Sequence, residues 1–242
     1  MISYAHKSIT GHRAGNEDNC LALAQEKRIL AAVADGMGGM ACGATASRLT
    51  VDALSDFVEL ASDTPEKSLD RAVREANLSV YRYAADNPPC GGMGSTLVGV
   101  IADGESFHAV NVGDSRLYQF HTGFLTRITR DHSLVNSLLE AGVITESEAV
   151  NHPLRNIITK AIGIDFTISP DYFNGTWEPG DFLLLCSDGL HGVLPEKDIS
   201  TILSMDFSDE ELCDLLVDAA LNAGSRDNIT TVLIRNMGGD GK

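Results

Sequence analysis

Runs of apolar residues alternate with short polar turns along most of the chain, and their spacing predicts strand pairs interleaved with helix pairs. Residues 19–25 and 28–34 are apolar runs joined across Glu26-Lys27, which predicts a hairpin. Two helical stretches follow. One continues over 43–60. The second has Thr64 as cap, Pro65 at its first position, and Leu69, Ala72, Val73, Ala76, Val80 and Tyr83 at helical spacing. Two β-branched runs, 96–102 and 106–112, are joined at Asp103-Gly104, whose residues tolerate positive φ. A further pair, 116–120 and 124–128, turns at Thr122-Gly123. Connections this short make antiparallel neighbours.

Residues 132–155 break the β pattern. Ser133–Glu140 reads as a helix that Gly142 ends, and Thr145-Glu146-Ser147-Glu148 has capping-box form, so this stretch reads as a small helical insertion. Strands are expected again near 166–173 and 181–187. Helices then start at Pro195 and at Ser208, which has Glu211 three residues later, and a last strand covers 229–235. The order predicts an α+β fold, a four-layer α-β-β-α sandwich of two antiparallel sheets flanked by helix pairs. With no linker or repeat in view, residues 1–242 read as one domain.

Composition narrows the function. The 242 residues are 43% hydrophobic, with one tryptophan, Trp177, so a large and mostly aliphatic core is expected. Thirty-four acidic against 18 basic residues give a net charge of −16, which repels nucleic-acid phosphates and argues against a nucleic-acid partner. Cys20, Cys42, Cys90, Cys186 and Cys213 are odd in number and widely spaced, suggesting neither a disulfide framework nor a zinc knuckle. Met1–Gly11 lacks the apolar stretch of a signal peptide, and no run approaches the ~20 apolar residues of a membrane span. The expectation is a cytoplasmic monomer without membrane contact.

Four acids share one context. Asp35 follows an apolar strand and precedes Gly36. Asp114 follows Val112-Gly113. Asp188 follows Cys186-Ser187 and precedes Gly189. Asp227 precedes Asn228-Ile229-Thr230. Any one of them would be read as a strand-end turn, as Asp103 is. Together they suggest a mouth of carboxylates that repel one another unless cations sit between them. Oxygen ligands without histidine or cysteine suit Mg²⁺ or Mn²⁺. Glu17 and Asp18 add two acids before strand 19–25, and Arg13 adds a planar fork suited to phosphate.

Six segments occur in order from Gly11 to Thr230. They are Gly11-His12-Arg13-Ala14-Gly15-Asn16-Glu17-Asp18, Val33-Ala34-Asp35-Gly36-Met37-Gly38-Gly39, Gly94-Ser95-Thr96, Asn111-Val112-Gly113-Asp114-Ser115-Arg116, Cys186-Ser187-Asp188-Gly189-Leu190 and Arg226-Asp227-Asn228-Ile229-Thr230. The set resembles the successive motifs of the type 2C metal-dependent protein phosphatases, the PPM family, in its short bacterial form. The resemblance implies a serine/threonine protein phosphatase that hydrolyses phosphoserine and phosphothreonine with a metal-activated water and no covalent intermediate. It implies two Mg²⁺ or Mn²⁺ ions and room for a third. Asp35 matches the carboxylate bridging two metals, and the Gly36 carbonyl a further ligand. Asp188 and Asp227 match the other ligands of one ion, and Glu17 an acid beside the second. Asp18 matches the residue orienting the water. Asp114, with Asp188, matches a third-metal position, and Arg13 the phosphate-binding arginine. By the same analogy 132–155 is the flap bordering the site, the substrates are phosphoproteins, and a serine/threonine kinase is opposed.

Met37 stands where eukaryotic relatives often carry a histidine proposed as general acid, and a thioether cannot donate a proton. His132 and His152, at the flap edges, read as ordinary structural histidines. Two rivals remain. Cys42 to Arg48 fits the Cys-x₅-Arg pattern of cysteine-dependent phosphatases, but it follows a glycine-rich turn instead of a buried strand. A non-catalytic binding module would be expected to lack some of the aspartates that are present here.

Overall fold

The computed structural model describes residues 1–58, 64–150 and 152–238. Its sheets are built from apolar runs that are continuous instead of alternating, because most strands are buried on both faces. In β3 (Arg28–Met37), Ile29, Ala31 and Val33 face the second sheet, while Leu30 and Ala32 face helices. One sheet holds β2 (Asp18–Gln25), β3, β5 (Leu97–Ala102), β6 (Ser106–Val112) and β9 (Asp171–Thr176), in the order β2-β3-β5-β6-β9. The two-residue β4 (Gly94–Ser95) pairs with the end of β3. The other sheet has the order β1-β11-β10-β7-β8, from β1 (Ile2–Ile9), β7 (Arg116–His121), β8 (Phe124–Arg127), β10 (Phe182–Cys186) and β11 (Ile229–Asn236). Every pairing is antiparallel.

Three layers of core follow. Between the sheets lie Val98, Val100, Phe107, Leu183, Leu185, Val232 and Trp177, whose indole N–H donates to the Asp103 carbonyl at 2.6 Å. Helices α1 (Met40–Phe57) and α2 (Pro65–Asp86) cover the first sheet through Leu54, Leu69, Val73 and Val80. Helices α6 (Glu196–Leu203) and α7 (Asp209–Asn222) cover the second through Ile199, Leu212 and Leu216. The expected four-layer sandwich is the observed one. Ser208 and Glu211 form the expected reciprocal capping box on α7. The insertion holds α3 (Leu134–Glu140) and α4 (Glu146–Val150), and Asp188–His191 forms the short α5.

Some expectations needed correcting. Strand β1 escaped the pattern because it is an edge strand in which Ala5 alone is fully buried. The strand expected at 166–173 begins only at Asp171, directly after Pro170, which has no N–H to give a ladder. The Asp103-Gly104 turn uses no positive φ. Asp103 Oδ1 instead accepts from the N–H groups of Glu105 and Ser106 at 3.0 and 2.8 Å. Thr122 and Gly123 do take positive φ, 47° and 87°. The helix expected to continue to residue 60 is described as far as Phe57, with 59–60 outside the described residues. Contrary to the reading that no bridge is suggested, Cys42 and Cys90 are joined by a disulfide, which the wide sequence spacing concealed.

Candidate metal and active site

Both sheets deliver the predicted acids to one edge of the sandwich. Asp35 lies two residues before the end of β3, Asp18 opens β2, and the two are paired across the ladder. Asp114 follows β6, Asp188 follows β10, and Asp227 precedes β11 beside the end of β1, from which the chain runs on to Arg13. Antiparallel order makes this convergence unavoidable: exits and entrances of neighbouring strands share an end.

Local bonds fix each acid. Asp35 is held through its backbone, which donates to Thr96 Oγ1 at 2.9 Å and accepts from the Thr96 N–H at 2.8 Å. Ser187 Oγ donates to Asp18 Oδ2 at 2.7 Å and accepts from the Thr230 N–H at 3.0 Å, tying the two sheets together. Asn228 Oδ1 accepts the Glu17 N–H at 2.8 Å, while its amide donates to the Thr10 and Gly15 carbonyls, both at 2.9 Å. Gly36 is packed so tightly that a Cβ there would lie 2.0 Å from the Gly43 carbonyl. A Cβ on Gly43 would strike Glu17 Oε2 at 2.1 Å, so the Glu17 carboxylate rests against the first turns of α1, whose dipole favours an anion. Gly113, at φ 101°, turns the chain into Asp114. Arg13 is 60% exposed and donates from Nη2 to Asp227 Oδ2 at 2.7 Å.

Burial and mutual repulsion dominate the electrostatics. Asp35 is pushed well above the usual carboxylate range, by burial first and then by Asp18, Asp188, Asp114 and Asp227. Asp188 is raised to about 7, by burial, then Asp114, Asp227 and Asp18. Asp18 is raised to about 6 by burial, against the opposing Ser187 hydrogen bond. Asp114 is raised to about 6, by burial and then by Asp131. Burial also raises Glu17, which Arg13 partly offsets. Asp18 Oδ1 and Asp188 Oδ1 are buried with no hydrogen-bond partner. Among the described residues no three His, Cys, Asp or Glu side chains form a ready-made metal cage. Asp114, Asp188 and Asp227 instead line a cleft of about 770 Å³ that reaches from Arg13 to α3, and Glu17, Asp18 and Asp35 are not part of its lining.

The sequence reading missed the groups that hold the acids: Asn228, Ser187, Thr96, Ser47 (which donates to the Glu17 carbonyl) and His191, whose Nε2 lies 3.0 Å from the Asp114 carbonyl. Their one signal was polar character inside or beside buried strand ends. The cysteine rival fails on geometry. Cys42 is consumed in the disulfide, and Arg48 pairs with Asp52 on the exposed face of α1. His132 is structural. The Gly113 N–H donates to its Nδ1 at 3.1 Å, and its Nε2 lies 3.3 Å from Asp171. His152 Nδ1 accepts the Leu154 N–H in an exposed turn.

Comparison with known proteins agrees with this geometry. The sequence profile described as protein phosphatase 2C matches residues 9–233. The serine/threonine phosphatase stp of Listeria innocua is 37% identical over 229 residues, 92% of this chain and 91% of its own. The crystal structure of the serine/threonine phosphatase Stp1 from Staphylococcus aureus superposes with a TM-score of 0.91 at 36% identity, covering 98% of this chain and 96% of that one. The catalytic domain of the phosphatase PstP, solved in complex with two manganese ions, has a TM-score of 0.85 at 34% identity, with 97% of each chain covered. The chain belongs to the protein phosphatase 2C family of metal-dependent phosphatases.

Proposed function

We propose that Asp35, Asp188 and Asp227 hold one Mg²⁺ or Mn²⁺ ion, and that Asp35, the Gly36 carbonyl and the Glu17 side hold a second, for hydrolysis of phosphoserine and phosphothreonine in proteins. Asp114, with Asp188, is the position for a third. The observation that supports this most is the set of buried carboxylates raised together at one sheet edge, two of them with unpartnered oxygens. Such a donor set fits hard divalent ions and fits nothing apolar. When bound, the ions supply a lowered pKa for the attacking water and neutralise phosphoryl charge.

The chain's own groups do the rest. Ser187 occupies Asp18 Oδ2, leaving Oδ1 free to accept from the attacking water and orient it. Arg13, held at the rim by Asp227, offers its remaining fork N–H groups to two phosphoryl oxygens. Met37 donates no proton, so the proton for the leaving oxygen must come from water or from another group. Arg13→Ala is expected to raise KM for p-nitrophenyl phosphate about 10-fold with little change in kcat, because it loses binding made equally in ground and transition states. An unchanged KM would remove that role.

We read the chain as one catalytic domain with residues 132–155 as a flap over the cleft, acting as a monomer in the cytoplasm against a serine/threonine kinase. No helix among the described residues is long and apolar enough to cross a membrane. In a cytoplasmic setting the Cys42–Cys90 bond would face a reducing thiol pool. Alkylation of those cysteines in lysed cells tests the placement: fully oxidised protein would count against it. The function itself is tested by titrating Mn²⁺ and Mg²⁺ against phosphoserine, phosphothreonine and phosphotyrosine peptides. Metal-independent turnover, or equal turnover of phosphotyrosine, would reject it.

A further inference from the structure

The cleft is larger than the chemistry needs. A volume of about 770 Å³ lies in the range that encloses a drug-sized ligand, roughly 300–1,000 Å³, so it has room for several substrate residues beyond one phosphoryl group. Its walls are also unlike the rest of the protein. Five of the chain's twelve arginines line it, and no lysine among the described residues does.

On the α3 side two arginines compete for one carboxylate. Asp131 is already satisfied by Arg116 in a two-point pair, Nε to Oδ1 at 3.0 Å and Nη2 to Oδ2 at 2.7 Å. Arg116 Nη1 is spent on Tyr118 Oη at 3.0 Å. Arg127 reaches the same carboxylate only through a long 3.6 Å contact from Nη1 to Oδ2, the one ion pair it makes among the described residues. His191, pushed down to about 3 by burial and then by the Arg116 charge, is neutral and adds nothing. Arg116 and Arg127 therefore share the Asp131 carboxylate, and Arg127 holds it the more loosely. Its side chain is 30% exposed at the cleft wall, so most of its fork is open to a ligand. The uncharged Ser133, Val135 and Asn136 line the same cleft.

We propose that Arg127 anchors an anion subsite that selects substrates with an acidic or second phosphorylated side chain near the residue being dephosphorylated. This rests on the phosphatase reading of the cleft. Sheet order supplies the spacing. Asp188 leaves β10, and Arg127 ends β8, two strands away and in register with Tyr118 and so with Leu184, four residues before Asp188. Two strand spacings are about 10 Å and four residues along a strand about 13 Å, so the two positions lie about 16 Å apart, or roughly five residues of extended peptide. A planar fork with one loosely held contact suits either a carboxylate or a phosphoryl group.

The test is kcat/KM on phosphothreonine peptides in which glutamate is moved from about seven residues before to about seven residues after the phosphoresidue, against alanine, with a second phosphoserine placed at the favoured position as a separate arm. Glutamate at one position about five residues away should raise kcat/KM about 5–10-fold through KM, as expected for a partly desolvated charge-assisted pair. The phosphoserine arm shows which anion is preferred. Arg127→Gln should erase that ratio, and Arg127→Lys should retain part of it. Equal rates on acidic and neutral peptides for the parent enzyme would overturn the subsite, as would an equal loss on both peptides and on p-nitrophenyl phosphate in Arg127→Gln. Absent p-nitrophenyl phosphate turnover in the parent would instead reject the phosphatase reading. In that case fluorescence anisotropy with phosphonate peptides, acidic against neutral, still decides whether Arg127 selects an anion.

Discussion

Asp35→Asn is expected to lose on the order of 10³-fold or more in kcat/KM, about 4 kcal/mol of transition-state stabilisation, while melting above the parent protein in EDTA. The two halves have one cause. In the metal-free protein, Asp35 is a buried carboxyl surrounded by Asp18, Asp188, Asp114 and Asp227, and each of those charges raises it. The backbone around it is held by Thr96 and by the β2 ladder, neither of which needs the carboxylate. Asparagine therefore keeps shape and bonds, removes one of several like charges, and leaves too little negative charge to hold divalent ions. Each 1 kcal/mol of relieved repulsion would appear as about 2–4 °C in the melting midpoint. Asp188→Asn should behave in the same way, since Asp188 is raised by burial and by three of the same neighbours. Turnover of p-nitrophenyl phosphate with Mn²⁺, together with thermal melts in EDTA, checks both halves. Retained turnover would end the assignment, and a collapsed melt would make the loss structural.

Much of this site was legible because strand ends are legible. Asp35, Asp114, Asp188 and Asp227 each flank an apolar run, and an antiparallel sandwich has few ways to keep such ends apart. The supporting groups were not legible for the opposite reason. Ser187 reads as one more small polar residue, yet it bridges the two sheets through Asp18 and Thr230. Asn228 spends both ends of its amide on loops more than 200 residues earlier in the chain, a pairing no local pattern encodes. The Cys42–Cys90 bridge was hidden in the same way, since it depends on α1 starting where the Pro88–Cys90 turn passes. Strand β1 was hidden because an edge strand with one buried side chain shows no period of two.

Removing the metal should abolish turnover and also reverse the way stability depends on pH. A carboxyl whose folded pKa lies above its unfolded value of about 4 binds more protons folded than unfolded between those two values. The free energy of unfolding therefore falls as pH rises through that window. Asp18 and Asp114 at about 6 and Asp188 at about 7 place the window between about pH 4 and pH 7. EDTA-treated protein is thus expected to melt at progressively lower temperature as pH is raised from 5 to 7.5. Millimolar Mn²⁺ should flatten or invert that slope, because cations then do what protons did, and binding to the native state alone adds about 2.7 kcal/mol at a hundredfold excess over Kd. The exchange has a direct readout. Calorimetric Mn²⁺ binding at pH 6.5 should release protons, seen as an apparent enthalpy that varies with the ionisation enthalpy of the buffer. At pH 8.5, above the values of Asp18, Asp114 and Asp188, the release should be smaller. Hydrolysis of p-nitrophenyl phosphate should disappear in EDTA and return with Mn²⁺ or Mg²⁺. A melting midpoint indifferent to pH, with no proton release at pH 6.5, would mean that these carboxyls do not confront one another across the cleft, and the metal-binding reading would fall with them.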